Sequence, residues 1–288
     1  MNLVTGASGN VGREVVRALA AAGAPVRALT RRPPPGEGAW PEPVEVAIGD
    51  LNDPGTLTQA LAGVRGLFLL SGYDDVSGLL AAGRAAGLER VVLLSSGALD
   101  DADVDAVGRP GYDETNVVVR WNAETEHALR ASGAAWTVLR PNGFHSNALR
   151  WLAQLQAGDV VRGPWPDVPI ASIDPADVGA VAAGALTTEG HAGRVHRLTG
   201  PERLRPAERV RILGEVLGRP LRFEAQSDEE ARAEMLEAIP PGIVDAFFRF
   251  FSAGETDESI ITPAVEEVTG RPPRSFERWA RAHAAEFG

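Results

Sequence analysis

The sequence predicts an α/β protein built on a doubly wound parallel sheet, followed by a smaller and mostly helical part toward the C-terminus. Short apolar runs alternate with amphipathic segments through the first half, as in βαβ units whose strands are covered on both faces. A glycine-rich turn follows the first of these runs directly. Beyond residue 200 the pattern changes to helical segments separated by two Gly-Arg-Pro sequences, which indicates a second unit.

The elements are expected in the following order. Strands are predicted at residues 3–4, 26–29, 44–48, 67–70, 91–94 and 136–139, and helices at 11–22, 56–62, 76–86 and 117–131. The α/β pattern returns at residues 169–173 and 177–186. Later helices are predicted at residues 206–217, 228–238, 243–251 and 275–287.

Composition excludes several classes of protein. Of the 288 residues, 44% are hydrophobic and 23% charged, which is typical of a globular chain. The net charge of −11 disfavours nucleic acid and anionic lipid as partners. Cysteine is absent, so disulfides, thiolate metal ligands and a thiol nucleophile are excluded, and we predict no metal site. Neither a secretory signal nor a run of roughly 18 apolar residues is found, so a cytoplasmic location is expected.

The glycine-rich turn predicts a phosphate-binding site. It reads Thr5-Gly6-Ala7-Ser8-Gly9-Asn10-Val11-Gly12 and lies between the first strand and the first helix. Gly6 and Gly9 permit a tight turn close to a pyrophosphate, Gly12 lets the helix pack closely, and the helix N-terminus offers free N–H groups. We therefore predict a Rossmann dinucleotide-binding domain over residues 1–145, rejoined by 169–200. A substrate-binding lid is expected over residues 146–168 and 201–288.

The end of the second strand indicates the cofactor. An NAD site usually has a carboxylate there, about 20 residues beyond the glycines, to bind the ribose 2′-hydroxyl. Here Arg31 and Arg32 stand 19 and 20 residues after Gly12. A guanidinium can bind a 2′-phosphate bidentately, so NADP (NADPH) is predicted, with Arg31 as the first choice of ligand. Ser71 and Gly72, after the fourth strand, are expected beside the cofactor ribose.

The GxxGxxG spacing resembles that of the short-chain dehydrogenase/reductase superfamily, and the chain is most similar to its NmrA-like atypical branch. Further segments carry this resemblance along almost the whole chain: Gly49-Asp50-Leu51-Asn52-Asp53, Val92-Leu93-Leu94-Ser95-Ser96-Gly97, residues 132–142, Ile173-Asp174-Pro175-Ala176-Asp177-Val178, Leu198-Thr199-Gly200-Pro201-Glu202 and Thr269-Gly270-Arg271-Pro272-Pro273. The resemblance implies that Asp50 and Leu51 line the adenine. A helix N-cap is an alternative role for Asp50.

The resemblance also shows what this sequence lacks. Typical superfamily members use a Tyr and a Lys in a YxxxK pair, with a Ser or Thr after strand five. Ser95 and Ser96 occupy the serine position, and either is a candidate to face the substrate. The Tyr and Lys positions fall at Val118 and Asn122, with Trp121 as the other register for the Lys. Neither Val nor Asn can supply the missing acid or cation.

Other side chains are candidates for the lost functions. Asn122 can hydrogen-bond the nicotinamide ribose or a water in place of Lys. Alternatively, it is an ordinary helix residue on the surface or partly buried. His145, after the sixth strand, titrates near neutrality and is a candidate proton donor or a polar lining residue. Tyr112 is a weaker candidate, because it lies early and in an expected loop. The catalytic candidates are thus Ser95, Ser96, Asn122 and His145.

These residues together indicate an NADPH-dependent reductase that transfers hydride to a carbonyl. Its substrate is expected to be a bulky, apolar small molecule, because aromatic residues are available to line a pocket. Aromatic residues spaced as they are here are also typical of a hydrophobic core. The composition and helix sequence resemble those of reductases from actinobacterial antibiotic pathways, which implies a polyketide-type ketone. The alternatives are a quinone reductase and an NADP-sensing regulator without turnover.

Overall fold

The structure is a computed structural model that describes residues 1–32 and 40–288. Its strands are β1 (Asn2–Val4), β2 (Val26–Thr30), β3 (Val44–Ile48), β4 (Gly66–Leu70), β5 (Arg90–Leu94), β6 (Ala135–Pro141), β7 (Val160–Gly163), β8 (Arg194–Leu198) and β9 (Arg222–Ala225). Within these two ranges, seven strands form one parallel sheet in the order β3-β2-β1-β4-β5-β6-β8. The predicted doubly wound parallel sheet is confirmed.

Helices lie on both faces of this sheet and also form a separate layer toward the C-terminus. They are α1 (Gly12–Ala21), α2 (Leu57–Leu61), α3 (Val76–Ala85), α4 (Asp101–Ala106), α5 (Val117–Ala131), α6 (Leu152–Ala157), α7 (Pro175–Thr187), α8 (Pro206–Leu217), α9 (Asp228–Leu236), α10 (Pro241–Phe251), α11 (Ala264–Thr269) and α12 (Phe276–Ala282), with 3-10 helices at Pro54–Thr56, His145–Trp151 and Ala284–Glu286. Among the described residues, no helix has the length and apolar character needed to cross a membrane.

The alternation of side chains along the strands divides the core into two layers. Val4, Phe68 and Leu139 face α1, α7 and α11 on one side. Leu3, Leu69 and other strand residues face α2, α3 and α5 on the other side. Because both faces are buried, the central strands carry apolar residues at nearly every position, which explains the runs in the sequence.

The strand order creates a crevice at the carboxyl ends of the central strands. Strand β1 pairs with β2 on one side and with β4 on the other. The connections that leave β1 and β4 therefore diverge, and ligands of open α/β sheets bind in the space between them, outside the carboxyl ends of the strands. Both the glycine-rich turn and the Ser71-Gly72 segment lie at this switch point.

Three features of the fold differ from the sequence prediction. Residues 169–173, where the α/β pattern was expected to return, make only isolated bridges at Ile170 and Ile173. The seventh strand is β8, whose sequence Arg-Val-His-Arg-Leu lacks an apolar run because it lies at the sheet edge. In the part expected to be mainly helical, β7 and β9 pair in parallel as a small second sheet of four residues a strand.

Two of the segments that carried the family resemblance interlock in space. Asp174 caps α7 through the backbone N–H of Ala176, and Pro175 takes the first helical position, which suits its missing N–H. Asp177, fully buried in the first turn of the same helix, accepts from Arg271 (2.7 Å) and from the side chain and backbone of Arg274 (both 2.6 Å). The segment between α11 and α12 is thereby bound to the main sheet layer.

Candidate active site

The glycine-rich turn adopts a conformation that its glycines make possible. Gly6 has a φ of 58°, a left-handed conformation that favours glycine, and its carbonyl accepts from the N–H of Gly9 at 2.8 Å. A Cβ on Gly12 would lie 2.1 Å from the same carbonyl oxygen. The N-terminus of α1 therefore packs directly against the turn, as predicted for Gly12.

The remaining residues of the turn differ in their exposure to solvent. Ser8, Gly9 and Asn10 are exposed, whereas the side chain of Val11 is buried in the core and can offer a ligand only its backbone. The Asn10 amide donates to Ser146 Oγ at 2.8 Å, which links the turn to the segment after β6. Within the described part of the chain, no side chain caps the start of α1, and the N–H groups of Arg13 and Glu14 donate to backbone carbonyls of the turn. The N–H groups of Asn10, Val11 and Gly12 have no acceptor there and are available to an anion.

Two exposed arginines follow β2. Arg31 and Arg32 both project into solvent, and the Thr30 hydroxyl donates to the carbonyl of Arg32 at 2.7 Å. The strand ends without a carboxylate at residues 29–32, so the chain offers cations where a ribose 2′-substituent is expected. This arrangement is suited to a phosphate on that ribose.

Tyr73, which the sequence analysis did not single out, lies beside this region. Burial and the Asp50 carboxylate raise the pKa of Tyr73, whereas the Arg31 guanidinium and a hydrogen bond with the Thr5 side chain act against the shift. The phenol thus lies among the ends of β1, β2 and β3, where a bound adenosine would be placed. Tyr73 directly follows Ser71-Gly72 in the sequence, and this position could have identified it as a residue of the cofactor site.

The two residues expected beside the adenine have different environments. Asp50 is partly exposed, and its carboxylate accepts from the N–H of Asn52 at 3.0 Å in a local turn. The side chain of Leu51 is 5% exposed and packs in the core beneath α2 and α3. Of the pair, only Asp50 has a side chain that can reach a ligand.

Ser71 and Asn122 are brought together by the fold. The Ser71 hydroxyl donates to Asn122 Oδ1 at 2.7 Å, and the Asn122 amide donates to the carbonyl of Val118 at 2.8 Å. Asn122 is 7% exposed, so it lies on the buried side of α5 facing the end of β4. Gly72 follows with a φ of 88°, which turns the chain away from the crevice.

The two candidate serines have separate roles in the structure. Ser95 is buried, and its hydroxyl donates to Glu126 Oε1 at 2.5 Å. Ser96 is only partly buried, and its hydroxyl oxygen accepts from the N–H of Ala98 at 3.2 Å, which leaves the hydroxyl proton free to be donated. Adjacent residues at a strand end point to opposite faces, which explains the difference.

Glu126 is the centre of a buried ion-pair network that the sequence analysis missed. Its side chain is fully buried and accepts from Arg140 Nε (3.0 Å) and Arg140 Nη2 (2.7 Å), and from Arg130 Nη2 (3.2 Å). Arg140 also donates to Asp101. Burial acts to lower the pKa of Arg140, but the hydrogen bonds and charge of Glu126 outweigh it, and the pKa is raised.

His145 lies in a buried setting that disfavours proton donation. The residue is 2% exposed, Nδ1 lies 2.9 Å from Ser172 Oγ, and Nε2 lies 3.2 Å from the carbonyl oxygen of Arg274. The ring packs edge-on against Phe276. Burial lowers the pKa of His145 to about 4, so the imidazole is neutral at pH 7.

Tyr112 borders a cavity of about 470 Å³ that is also lined by Gly97, Asn116 and Arg249. Its hydroxyl is buried and has no hydrogen-bond partner among residues 1–32 and 40–288. Burial and the Glu124 carboxylate raise the pKa of Tyr112 to about 12. This is the opposite of the lowered phenol pKa that the YxxxK pair provides.

A family model described as NAD(P)H-binding matches residues 6–189. Over 295 residues, the chain is 40% identical to a (4-alkanoyl-5-oxo-2,5-dihydrofuran-3-yl)methyl phosphate reductase of Streptomyces griseus subsp. griseus, covering 100% of this chain and 99% of the relative. It is 33% identical to an NAD(P)H azoreductase of Xenophilus azovorans over 296 residues, with the same two coverages. The chain belongs to the NAD(P)H-binding family.

Solved structures share the fold. The NADPH-dependent quinone oxidoreductase of Escherichia coli, crystallised with NADPH, aligns with a TM-score of 0.77 at 24% identity over 99% of this chain and 100% of that chain. Together, the fold, the family and the relatives define an NAD(P)H-dependent reductase of the NmrA-like, atypical short-chain type. The predicted family, enzyme class and cofactor class are confirmed.

The residues present fit a dinucleotide. The left-handed Gly6 and the close packing of Gly12 produce a tight turn, and the N–H groups of Asn10, Val11 and Gly12 donate to no group of the described residues. Such a set of donors accepts a pyrophosphate.

Proposed function

We propose that this reductase uses NADPH and transfers hydride to a small acceptor whose carbonyl is conjugated, such as a quinone or an unsaturated lactone. One observation carries the proposal: the Asn122 side chain is hydrogen-bonded to the Ser71 hydroxyl and to the Val118 carbonyl. The family resemblance assigns the Tyr and Lys positions to Val118 and Asn122. Without a positioned acid and cation, the site suits an acceptor whose reduced form is a delocalised anion. Such an anion takes its proton readily from water.

The acceptors named for the relatives support this choice. A quinone, an azo compound and an alkanoyl dihydrofuranone all have electron-poor conjugated systems. A polyketide-type ketone with an adjacent phenol or enol would satisfy the same requirement, because the neighbouring group stabilises the alkoxide. An isolated ketone would not, since its alkoxide needs a strong donor.

Each residue near the reaction has a distinct role in this proposal. Bound NADPH supplies the hydride, and Arg31 selects it over NADH by binding the 2′-phosphate. Ser96 donates its free hydroxyl proton in a hydrogen bond to the acceptor oxygen and polarises it. Asn122 and Ser71 fix the wall of the site beside the nicotinamide ribose. Ser95 and His145 maintain the structure and take no part in proton transfer.

The substrate side is formed by the remainder of the chain. We propose that residues 146–168 and 201–288 act as the substrate lid, with residues 1–145 and 169–200 as the dinucleotide-binding part. Helix α10 supports this assignment, because it packs over the first turn of α5, where a Cβ at Gly242 would lie 3.2 Å from Val117 Cγ1. The aromatic cluster of Trp165, Phe248 and Phe251 joins α10 to the segment after β7.

The test is NADPH oxidation with three acceptors: 1,4-naphthoquinone, an unsaturated lactone with an acyl substituent, and cyclohexanone as the isolated ketone. We expect reduction of the first two and not of the third. The variant Ser96→Ala should lower kcat about 10–100-fold, while Ser95→Ala serves as the matched control and keeps kcat within about twofold. Reduction of cyclohexanone, or binding of NADPH without reduction of any acceptor, would contradict the proposal; the second outcome indicates a regulator.

A further inference from the structure

Helix α8 carries a buried arginine without a counter-ion in contact. Arg209 is 8% exposed and lies on the inner face of the helix, beside Val210 and Leu213. Its Nε atom is fully buried and has no hydrogen-bond partner, and the guanidinium forms no ion pair within residues 1–32 and 40–288. All the N–H donors of this group therefore remain for a ligand or for water.

The surroundings of Arg209 place it next to the carboxyl end of β6. Its guanidinium carbon lies 5.9 Å from the ring centroid of Trp151, in the segment that follows β6. The charged group that acts on it most is Glu258, whose Oε2 accepts from the backbone N–H of Gly143 at 2.9 Å. Gly143 comes two residues after the last residue of β6, at the edge of the sheet where the reaction takes place.

Glu258 does not neutralise Arg209 by contact. In the described structure no nitrogen of Arg209 lies within 4.0 Å of a carboxylate oxygen of Glu258, so the two side chains form no salt bridge. Burial lowers the pKa of Arg209 to about 10, against the smaller opposing effect of the Glu258 charge. Burial also raises the pKa of Glu258, although the Gly143 N–H and the charges of Arg197 and Arg209 act in the other direction.

Another buried arginine of the same chain shows the paired alternative. Arg140 is similarly buried, at 6% exposed, but it is held bidentately by the fully buried Glu126. A buried cation without such a partner is strongly unfavourable. Arginines kept in that state next to a ligand site provide fixed donors for a planar oxyanion.

We propose that Arg209 binds an oxyanion of the substrate, a phosphate or carboxylate group attached to the reducible part of the molecule. The inference rests on the proposed function and narrows it to anionic acceptors. The conjugated carbonyl lies over the sheet edge near Ser96, and the anionic group extends toward α8, past Gly143 and Trp151. In a chain with a net charge of −11, this buried guanidinium is the feature that would retain an anion.

Binding is tested without turnover. Protein saturated with NADP⁺, so that the cofactor phosphate site is filled, is titrated by calorimetry with phenyl phosphate, with benzoate and with phenol as the uncharged match. Phenyl phosphate or benzoate should bind at least about tenfold more tightly than phenol, and whichever binds more tightly identifies the oxyanion. Arg209→Met should remove that preference, and Arg209→Lys should restore part of it. The control is Arg211→Met on the same helix, an exposed arginine paired with Glu215.

Turnover provides a second readout. With 1,4-naphthoquinone-2-sulfonate, Arg209→Met should raise KM at least about tenfold and leave kcat nearly unchanged, while both constants for neutral 1,4-naphthoquinone stay within about twofold. Absence of all quinone reduction by the wild type would defeat the proposed function, yet the calorimetry would still decide the role of Arg209.

Two results would overturn the assignment. One is equal affinity of the wild-type protein for phenyl phosphate, benzoate and phenol, which would mean that Arg209 holds water only. The other is a melting temperature of Arg209→Met well below that of Arg211→Met with no change in anion binding, which would make Arg209 a structural partner of Glu258. If Arg209 is a binding residue, Arg209→Met is instead as stable as the wild type or more stable, since an unpaired buried charge is removed.

Discussion

Replacing Glu126 by Gln tests whether Ser95 belongs to the core or to the reaction. The carboxylate is fully buried and accepts hydrogen bonds from Ser95, twice from Arg140, and from Arg130. Glutamine keeps the size but loses the charge, and its amide nitrogen cannot accept from Arg140. Breaking a buried ion pair costs about 3–5 kcal/mol, and we expect about 3 kcal/mol because Arg140 keeps its bond to Asp101.

The measurement is thermal unfolding followed by circular dichroism. A loss of about 3 kcal/mol corresponds to a fall of roughly 5 °C in Tm, because a chain of 288 residues has an unfolding entropy of about 0.6 kcal/mol/K. Ser95→Ala removes one hydrogen bond to a charged group and should cost about 1.5–3 kcal/mol, with kcat nearly unchanged. The reasoning is refuted if Glu126→Gln loses less than about 1 kcal/mol while Ser95→Ala abolishes reduction, because Ser95 would then act on the substrate.

Three further predictions concern the cofactor site and the buried histidine. Arg31→Ala should weaken NADPH binding by about 1.5–3 kcal/mol and leave NADH binding nearly unchanged, as measured by titration; equal losses would contradict the role of Arg31. Gly12→Ala places a methyl carbon 2.1 Å from a fixed carbonyl oxygen and should abolish NADPH binding, whereas Gly158→Ala, which meets nothing within 4 Å, is the control. His145 stays neutral in the folded protein until the pH nears 4, whereas in the unfolded chain it is protonated below its ordinary pKa of 6.5. The free energy of unfolding should therefore fall by about 3 kcal/mol as the pH falls from 6.5 toward 4. Denaturation over that range should show the loss in the wild type but not in His145→Gln, and a shared pH dependence would contradict it.

Local signals in the sequence were sufficient for the sheet and the phosphate-binding turn. The central strands are buried on both faces, so their apolar runs are unambiguous, and the turn lies within eight consecutive residues, 5–12. Strand β8 was missed because an edge strand alternates polar and apolar residues and resembles a loop. The four-residue strands β7 and β9 are too short to give a period.

The reacting end of the site depends on contacts between distant residues. Ser95 and Ser96 are equivalent in sequence, and only the position of Glu126, 31 residues later, shows which hydroxyl is occupied. His145 was an attractive proton donor by its ordinary pKa alone. Its burial against Phe276 comes from a helix more than 100 residues away, which no local pattern indicates. The isolated state of Arg209 likewise has no signature in the sequence.

The contact of Asp177 with Arg271 and Arg274 has a consequence for how the molecule unfolds. This carboxylate lies in α7, against the main sheet, whereas the two arginines lie in the connection to α12, within the proposed substrate lid. A loosening of that helix would leave Asp177 buried and unpaired, and a loosening of α7 would release both arginines, so neither side can open alone without a large penalty. The cofactor half and the substrate half are therefore expected to melt in a single calorimetric transition, and NADPH bound to one half should protect the peptide bonds of the other from protease.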